Sequence, residues 1–105
     1  MSKTQATWNG HVIAASDDCI AVEGNAYFPP ESVDMRFLKP SSYTSVCGWK
    51  GTAGYYDVAV DGDTNTNAAW VYATPKDQAA PIAGYVAFWK GVTVEGASLA
   101  KPMER

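Results

Sequence analysis

The chain has 105 residues but no cluster of Lys and Arg, only two Leu, one His and two Cys. Its 8 basic and 11 acidic side chains give a formal charge of −3, which argues against a protein that binds nucleic acid through a basic face. No segment approaches the roughly 18 apolar residues that span a bilayer, and residues 1–5 contain no apolar stretch typical of a secretion signal. The sequence therefore predicts a cytoplasmic domain with neither a nucleic-acid nor a membrane partner.

The scarcity of Cys and His limits the metal and catalytic chemistry. Cys19 and Cys47 allow at most one disulfide and cannot form a four-thiolate zinc site. His11 follows a predicted turn directly, where an exposed His is ordinary. Asp61 and Asp63 flank a glycine in a turn composition that does not match a calcium loop. We predict no metal and no cofactor, and we expect both thiols to be reduced.

The apolar composition favours β-structure. Ten Val and thirteen aromatic residues stand against the two Leu, and branched and aromatic side chains fit a pleated sheet. Turn signals recur about every ten residues, as in a meander. A chain of this size forms one hydrophobic core. We predict one domain over residues 1–105, mainly β, an antiparallel meander with one or two short helical turns, a core at 4–96 and a flexible tail at 97–105.

Individual elements follow from apolar alternation and from the turn residues between them. Asn9-Gly10 is the strongest hairpin signal, because both central positions of a type I′ turn need a positive φ. Glu23 is expected at a strand end, with a turn at Gly24-Asn25. Short helical turns are predicted at 29–33, with Pro30 in the first turn, and at 75–80, capped by Thr74. The predicted strands are 4–8, 11–15, 19–23, 35–38, 55–60, 68–73, 85–89 and 92–95.

The segment from Thr44 to Tyr56 concentrates reactive groups around glycines, whose spacing indicates close backbone approach or unusual φ values. Lys50 follows Cys47 by three residues, and its ammonium would favour a thiolate acting as a nucleophile or a redox thiol. Alternatively, Cys47 is packed and Lys50 is solvated. Trp49 stands where a phosphate loop requires Gly, which excludes that motif. An anion site made of backbone N–H groups and Lys50 remains open.

Aromatic residues at alternate strand positions are expected to line one concave face. A cavity with aromatic walls and a few polar groups suits a planar or cationic small ligand. The alternative is that the rings form the core of a domain poor in Leu. The residues concerned are Trp49, Tyr55, Trp70, Tyr72, Tyr85 and Trp89.

A series of motifs in fixed order resembles a known family. The most specific are Thr44-Ser-Val-Cys-Gly-Trp-Lys-Gly-Thr-Ala53 and Trp70-Val-Tyr-Ala-Thr-Pro75, accompanied by 8–10, 14–16, 23–24, 27–29, 55–56 and 82–88. With these motifs the chain resembles bacterial domain-of-unknown-function family 427 over residues 8–95. The family often has Pro after the Cys and Tyr before the Lys, where this chain has Gly48 and Trp49.

The resemblance implies a small all-β protein similar to the β-tent fold of methionine-R-sulfoxide reductases and of the thalidomide-binding domain of cereblon. Such relatives commonly hold zinc between two Cys-x-x-Cys pairs, which this sequence does not contain. The family is sometimes labelled nucleotidyltransferase-like, a label given little weight because the sequence has no carboxylate pair typical of that chemistry. The family pattern points to Glu23, Tyr27, Thr44, Cys47, Lys50, Tyr55, Trp70 and Tyr72 as site residues.

Three functions are compatible with these features. The first is a small-molecule binding domain, with a cleft walled by Trp49, Trp70 and Tyr72 in which Lys50 and Glu23 fix the polarity of a planar or anionic ligand. The second is an enzyme that uses Cys47 with Lys50. The third is an interaction module that meets an unknown protein partner through a sheet edge or exposed aromatic side chains. Fold resemblance alone does not choose a reaction.

Overall fold

A computed structural model describes residues 3–103. These residues are mainly in β-strands, which confirms the predicted fold class, and they contain four short 3₁₀-helical turns where one or two were predicted. The strands are β1 Thr4–Trp8, β2 His11–Ser16, β3 Ile20–Val22, β4 Asn25–Tyr27, β5 Leu38–Cys47, β6 Gly51–Val60, β7 Asp63–Val71, β8 Val86–Phe88, β9 Thr93–Glu95 and β10 Lys101–Pro102. The helical turns are Pro30–Ser32, Met35–Phe37, Asp77–Ile82 and Ala97–Leu99.

Within the described residues 3–103 the strands form three sheets, with the orders β2-β1-β9, β10-β3-β4 and β5-β6-β7-β8. Neighbouring strands are antiparallel except β10 and β3, which are parallel. Two backbone hydrogen bonds connect the second and third sheets. The N–H of Phe28 donates to the carbonyl of Val86 at 2.8 Å, and the N–H of Val86 donates to the carbonyl of Phe28 at 2.9 Å. The end of β4 is thereby fixed against β8.

Two-residue turns with a positive φ at both positions connect several of these strands. Asn9 and Gly10 have φ values of 52° and 79°, so the predicted type I′ hairpin is confirmed. Between β3 and β4 the turn is Glu23-Gly24, with φ values of 53° and 80°. The predicted turn at Gly24-Asn25 was therefore wrong by one residue, and Glu23 lies in the turn itself.

Two other local predictions differ from the structure. Residues 35–37 of the predicted strand 35–38 form a 3₁₀ turn instead, because the Asp34 carboxylate accepts the N–H of Arg36 and starts that turn. Strand β5 begins at Leu38 and continues through Pro40, which an edge strand tolerates. The helical turn predicted at 75–80 runs over Asp77–Ile82 instead. Its N-cap is Lys76 with no side-chain cap, so Thr74 does not cap it.

Within residues 3–103 the buried apolar residues form two clusters, and β4 together with the residue after it contributes to both because their side chains alternate. Phe28 enters the first cluster, where its ring meets Phe88 edge-to-face at 5.6 Å. Tyr27 enters the second cluster, together with Tyr72 and Ile82. Both Phe28 and Tyr27 are almost completely buried. The second cluster forms the base of the cleft described below.

The chain end contributes to the second sheet. The N–H of Lys101 donates to the carbonyl of Cys19 at 3.0 Å, and the N–H of Met103 donates to that of Ala21 at 3.2 Å. Flexibility of the segment 97–105 stays a prediction, and residues 104 and 105 lie outside the described part. Within residues 3–103, helices of the length and apolar character needed to cross a membrane are absent.

Candidate functional site

An open cleft of about 280 Å³ lies over the second core cluster. Strands β4, β6 and β7, the turn before β6 and the residues that follow β7 and β8 contribute its walls. Five of its seven lining side chains are aromatic. The lining residues are Asn25, Tyr27, Lys50, Tyr55, Trp70, Tyr72 and Trp89.

Strand register places the aromatic side chains on one face. Tyr55 on β6 stands opposite Trp70 on β7, and Trp70 stands opposite Ala87 on β8. Cross-strand neighbours project from the same face of a sheet, and so do residues two apart on one strand. Trp70 and Tyr72 therefore reach the cleft together, as their alternation predicts.

The rings contact one another mainly edge-to-face. Trp70 meets Tyr27 at 6.1 Å and 89°, and it meets Trp89 at 5.8 Å and 79°. The indole Nε1–H of Trp70 also donates to the hydroxyl of buried Tyr27 at 3.1 Å. Such contacts fix ring orientation, because the positive edge of one ring meets the negative face of the next. The inner wall of the cleft is therefore part of the core.

The outer wall is positioned by a backbone irregularity. Asn67 has a φ of 56°, and its N–H donates to the Asp57 carboxylate at 2.9 Å, beside a register shift in β6. The Asn67 carbonyl accepts the Nε1–H of Trp89 at 2.6 Å. Trp89 is 44% exposed. This hydrogen bond holds a large exposed ring at the edge of the cleft.

The glycine-rich turn between β5 and β6 places Lys50. Gly51 has a φ of +109°, which L residues rarely adopt, and a Cβ there would lie 3.4 Å from the backbone nitrogen of Lys76. The N–H of Lys76 donates to the Lys50 carbonyl at 2.9 Å, and Lys76 Nζ donates to the Gly48 carbonyl at 2.7 Å. Gly51 thus shows both the predicted close approach and an unusual φ, whereas a Cβ at Gly48 or Gly54 would meet nothing within 4 Å.

The ammonium of Lys50 is buried among aromatic rings and paired with one carboxylate. Its side chain is 8% exposed, and its Nζ donates to Glu23 Oε1. The same Nζ lies 5.1 Å from the Trp49 ring centroid and 5.7 Å from that of Tyr72. Burial is the largest single effect and opposes the charge, but the hydrogen bond to Glu23, together with the charge interactions with the neighbouring tyrosines and Cys47, outweighs it, so the pKa of Lys50 is raised. Lys50 is therefore a cation at neutral pH.

The two tyrosines beside Lys50 are neutral hydrogen-bonding groups. Burial raises the pKa of Tyr72 to about 12, against the opposing effect of the Lys50 charge. Burial also raises the pKa of Tyr27. Both hydroxyls keep their protons over the physiological range and can serve as donors as well as acceptors.

The Cys47 thiol does not line the cleft. It is partly buried beside the second core cluster. Burial tends to raise its pKa, but hydrogen bonds from the backbone of Lys50 and Trp49, together with the Lys50 charge, lower it. Cys19 is unpaired and buried in the first cluster, where desolvation raises its pKa to about 11.

The structure brings most of the sequence-predicted site residues together. Those that line the cleft are Tyr27, Lys50, Tyr55, Trp70 and Tyr72. Glu23 and Trp49 contact Lys50 without lining the cleft, so Trp49 is not the wall that the sequence suggested. Thr44 is exposed on β5 and does not line the cleft.

Two lining residues lie outside the family pattern. Trp89 is one of the aromatic residues that alternation along the strands predicted for the concave face. Asn25 had no distinguishing signal, because a polar residue after a glycine turn is common.

The residues that commonly bind metal ions are dispersed. Across residues 3–103, His, Cys, Asp and Glu do not come together in groups of three or more that could hold an ion.

The chain matches a family of known sequences over nearly its whole length. A family model described as a domain of unknown function, DUF427, matches residues 2–98. A search of curated proteins found no match. The matched range contains every residue that lines the cleft.

Proposed function

We propose that this chain, which belongs to the DUF427 family of domains of unknown function, binds a small planar ring compound in its aromatic cleft. The observation that carries the proposal is a preformed cavity with five aromatic side chains and one buried lysine. Its volume of about 280 Å³ lies near the lower end of small-molecule pockets, which begin at roughly 300 Å³. One ring or two fused rings fit such a space.

Two features favour a binding surface over a packing role for these rings. Trp89 is 44% exposed and held open to solvent by the Asn67 carbonyl, although packing alone favours burial of an indole. Lys50 carries a desolvated charge at the base of the cleft, and a buried ion pair gives a fold little net stability compared with apolar side chains. Both features are useful when a ligand covers the rings and accepts a hydrogen bond.

The proposal extends to the location of the protein. The thiols of Cys19 and Cys47 are both free. Unpaired thiols agree with a reducing compartment, where disulfides are rare. This supports the cytoplasmic location that the sequence predicts.

Indole N–H resonances test ligand binding directly, because Trp70 and Trp89 line the cleft and Trp8 lies outside it. A panel of planar one-ring and two-ring compounds, titrated into ¹⁵N-labelled protein, is expected to shift the signals of Trp70 and Trp89. Trp8 packs against the first core cluster and serves as the internal control. Single Trp→Phe variants assign the four signals. The proposal fails if no compound moves the two cleft indoles, or if Trp8 responds equally.

A second candidate function is suggested by the electrostatics of Cys47. Cys47 is the last residue of β5, and its sulfur accepts hydrogen bonds from the backbone N–H groups of Trp49 and Lys50, which favour the thiolate. A stabilised thiolate at a partly accessible position is the usual form of a reactive cysteine. We propose this thiol as a nucleophile or redox group assisted by Lys50, ranked second because Cys47 does not line the cleft.

Alkylation by iodoacetamide at increasing pH tests this candidate. The apparent pKa for Cys47 is expected below the ordinary value of 9.0, because its pKa is lowered. The rate at Cys47 should therefore reach its plateau at a lower pH than that of a free thiol. Cys19 is the control in the same chain and is expected to remain unmodified, since it is buried with a pKa of about 11. Peptide mass spectrometry separates the two sites, and an apparent pKa of 9 or above at Cys47 removes the basis of the candidate.

A further inference from the structure

We infer that the cleft selects uncharged ring compounds that carry a hydrogen-bond acceptor, such as an aromatic amide, over ring carboxylates and phosphates. The inference rests on the proposed function and adds the ligand's charge and its polar group. It follows from the pairing of Lys50 with Glu23 and from the ring faces that surround the cavity.

Lys50 has hydrogen-bonding capacity that the fold does not use. An ammonium group has three N–H donors. Among residues 3–103, the hydrogen-bond acceptor found for Nζ is the Glu23 carboxylate. The side chain is more than nine-tenths buried and contributes to the cleft lining. An acceptor atom of a ligand in the cleft can therefore receive a hydrogen bond from an N–H of the Lys50 ammonium that bulk water reaches poorly.

The neighbouring carboxylate determines which acceptor is favoured. Glu23 neutralises Lys50, so an entering anion would meet an ion pair rather than an unpaired cation. Its attraction to Lys50 would be offset by repulsion from Glu23, while it would still lose its hydration. A carbonyl oxygen accepts the same hydrogen bond without that repulsion and with a smaller desolvation cost.

The faces of the aromatic rings also disfavour a charged ligand. The face of an aromatic ring carries negative charge density and is unfavourable for an anion. Cations are attracted to such faces, but Lys50 already lies near the rings of Trp49 and Tyr72, and a cation without an acceptor cannot take the unused N–H donors of Lys50. An uncharged ring avoids both penalties and can still stack.

The backbone keeps Glu23 close to this position. Glu23 has a φ of 53° in its two-residue turn, where Asn, Asp or Gly are the preferred residues. Glu is therefore not favoured at this position by the local backbone conformation. Its carboxylate accepts a hydrogen bond from Lys50, which lies 27 residues further along the sequence. The short turn fixes the backbone position of Glu23 and so limits how far a ligand anion can displace its carboxylate.

Three probes with the same ring separate these charge states: benzamide, benzoate and benzamidine at pH 7. Titrations of the wild-type protein, followed by the Trp70 and Trp89 indole signals, are expected to give benzamide at least tenfold tighter binding than benzoate and no weaker binding than benzamidine. In the E23Q variant, which keeps an acceptor for Lys50, benzoate is expected to gain at least tenfold while benzamide changes less than threefold.

The possible outcomes are distinguishable. Benzoate or benzamidine binding more tightly than benzamide at the cleft overturns this inference and leaves the proposed function standing. No shift from any probe or from the wider panel overturns the proposed function, and the inference with it. Unchanged selectivity in folded E23Q contradicts a role of Glu23 in rejecting anions. If E23Q does not fold, the three wild-type titrations still decide the ligand's charge.

Discussion

Replacement of Glu23 by Ala is expected to lower the free energy of unfolding by about 2–3 kcal/mol, whereas replacement of Lys50 by Met is expected to cost less than about 1 kcal/mol. The asymmetry arises because the two partners differ in exposure, at 8% for the Lys50 side chain and 53% for that of Glu23. Removing the carboxylate leaves a buried ammonium uncompensated. Removing the ammonium leaves a carboxylate that water can solvate, and Met keeps contact with the rings.

Urea denaturation at pH 7 measures both changes. The pKa of Lys50 is raised in the folded protein, so the stability from the pair is fully present below the ordinary value of 10.5 and is lost as the pH rises through the folded value. A measurement at pH 7 therefore records the complete effect. Exposed Glu31, changed to Ala, is the control and is expected to alter stability by less than about 0.5 kcal/mol. Equal losses for both members of the pair would contradict the burial argument.

Turns and aromatic faces were predictable because their causes are local. Asn9-Gly10, Asp61-Gly62 and Lys90-Gly91 all have a positive φ at both positions, and a glycine in second place is the common sequence signal. The shared face of Trp70 and Tyr72 follows from alternation along a strand. Neither inference needed any knowledge of distant contacts.

Strand β5 was not predictable because its residues do not alternate clearly between a buried and an exposed face. Between Lys39 and Val46 most side chains are exposed, and the pairing with β6 is irregular between Pro40 and Thr44. The strand forms because β6 offers a partner, not because of its own apolar pattern. An edge position also permits Pro40, which in a central strand would remove a ladder hydrogen bond.

The site was predictable in part. Residue type and spacing identified the aromatic set and Lys50, but the geometry that brings Lys50 into the cleft and leaves Cys47 outside its lining depends on Gly51 and on the docking of Lys76. The position of Trp89 depends on the left-handed Asn67, which has no sequence signal of its own. Long-range contacts of this kind decide which side chains enter a cavity, and a single sequence does not contain them explicitly.

Replacement of Trp70 by Ala is expected to lower the free energy of unfolding by about 2–4 kcal/mol, and replacement of Trp89 by Ala by less than about 1 kcal/mol. The Trp70 substitution removes edge-to-face contacts with two rings and leaves the buried hydroxyl of Tyr27 without its indole donor. Trp89 is 44% exposed, and its indole donates to a backbone carbonyl in an exposed hydrogen bond, which water can replace.

The Trp70→Phe variant distinguishes the contribution of the aromatic ring from that of the indole N–H, since Phe keeps aromatic bulk but cannot donate a hydrogen bond to Tyr27. We expect it to cost about 1–2 kcal/mol, the effect of an unsatisfied buried hydroxyl. Urea denaturation of the three variants gives the comparison.

A rigid inner wall beside an exposed outer ring provides a preformed site, which reduces the ordering cost of binding. If Trp89→Ala destabilised the protein as much as Trp70→Ala, the outer ring would be core packing, and the cleft would lose its best argument for a ligand.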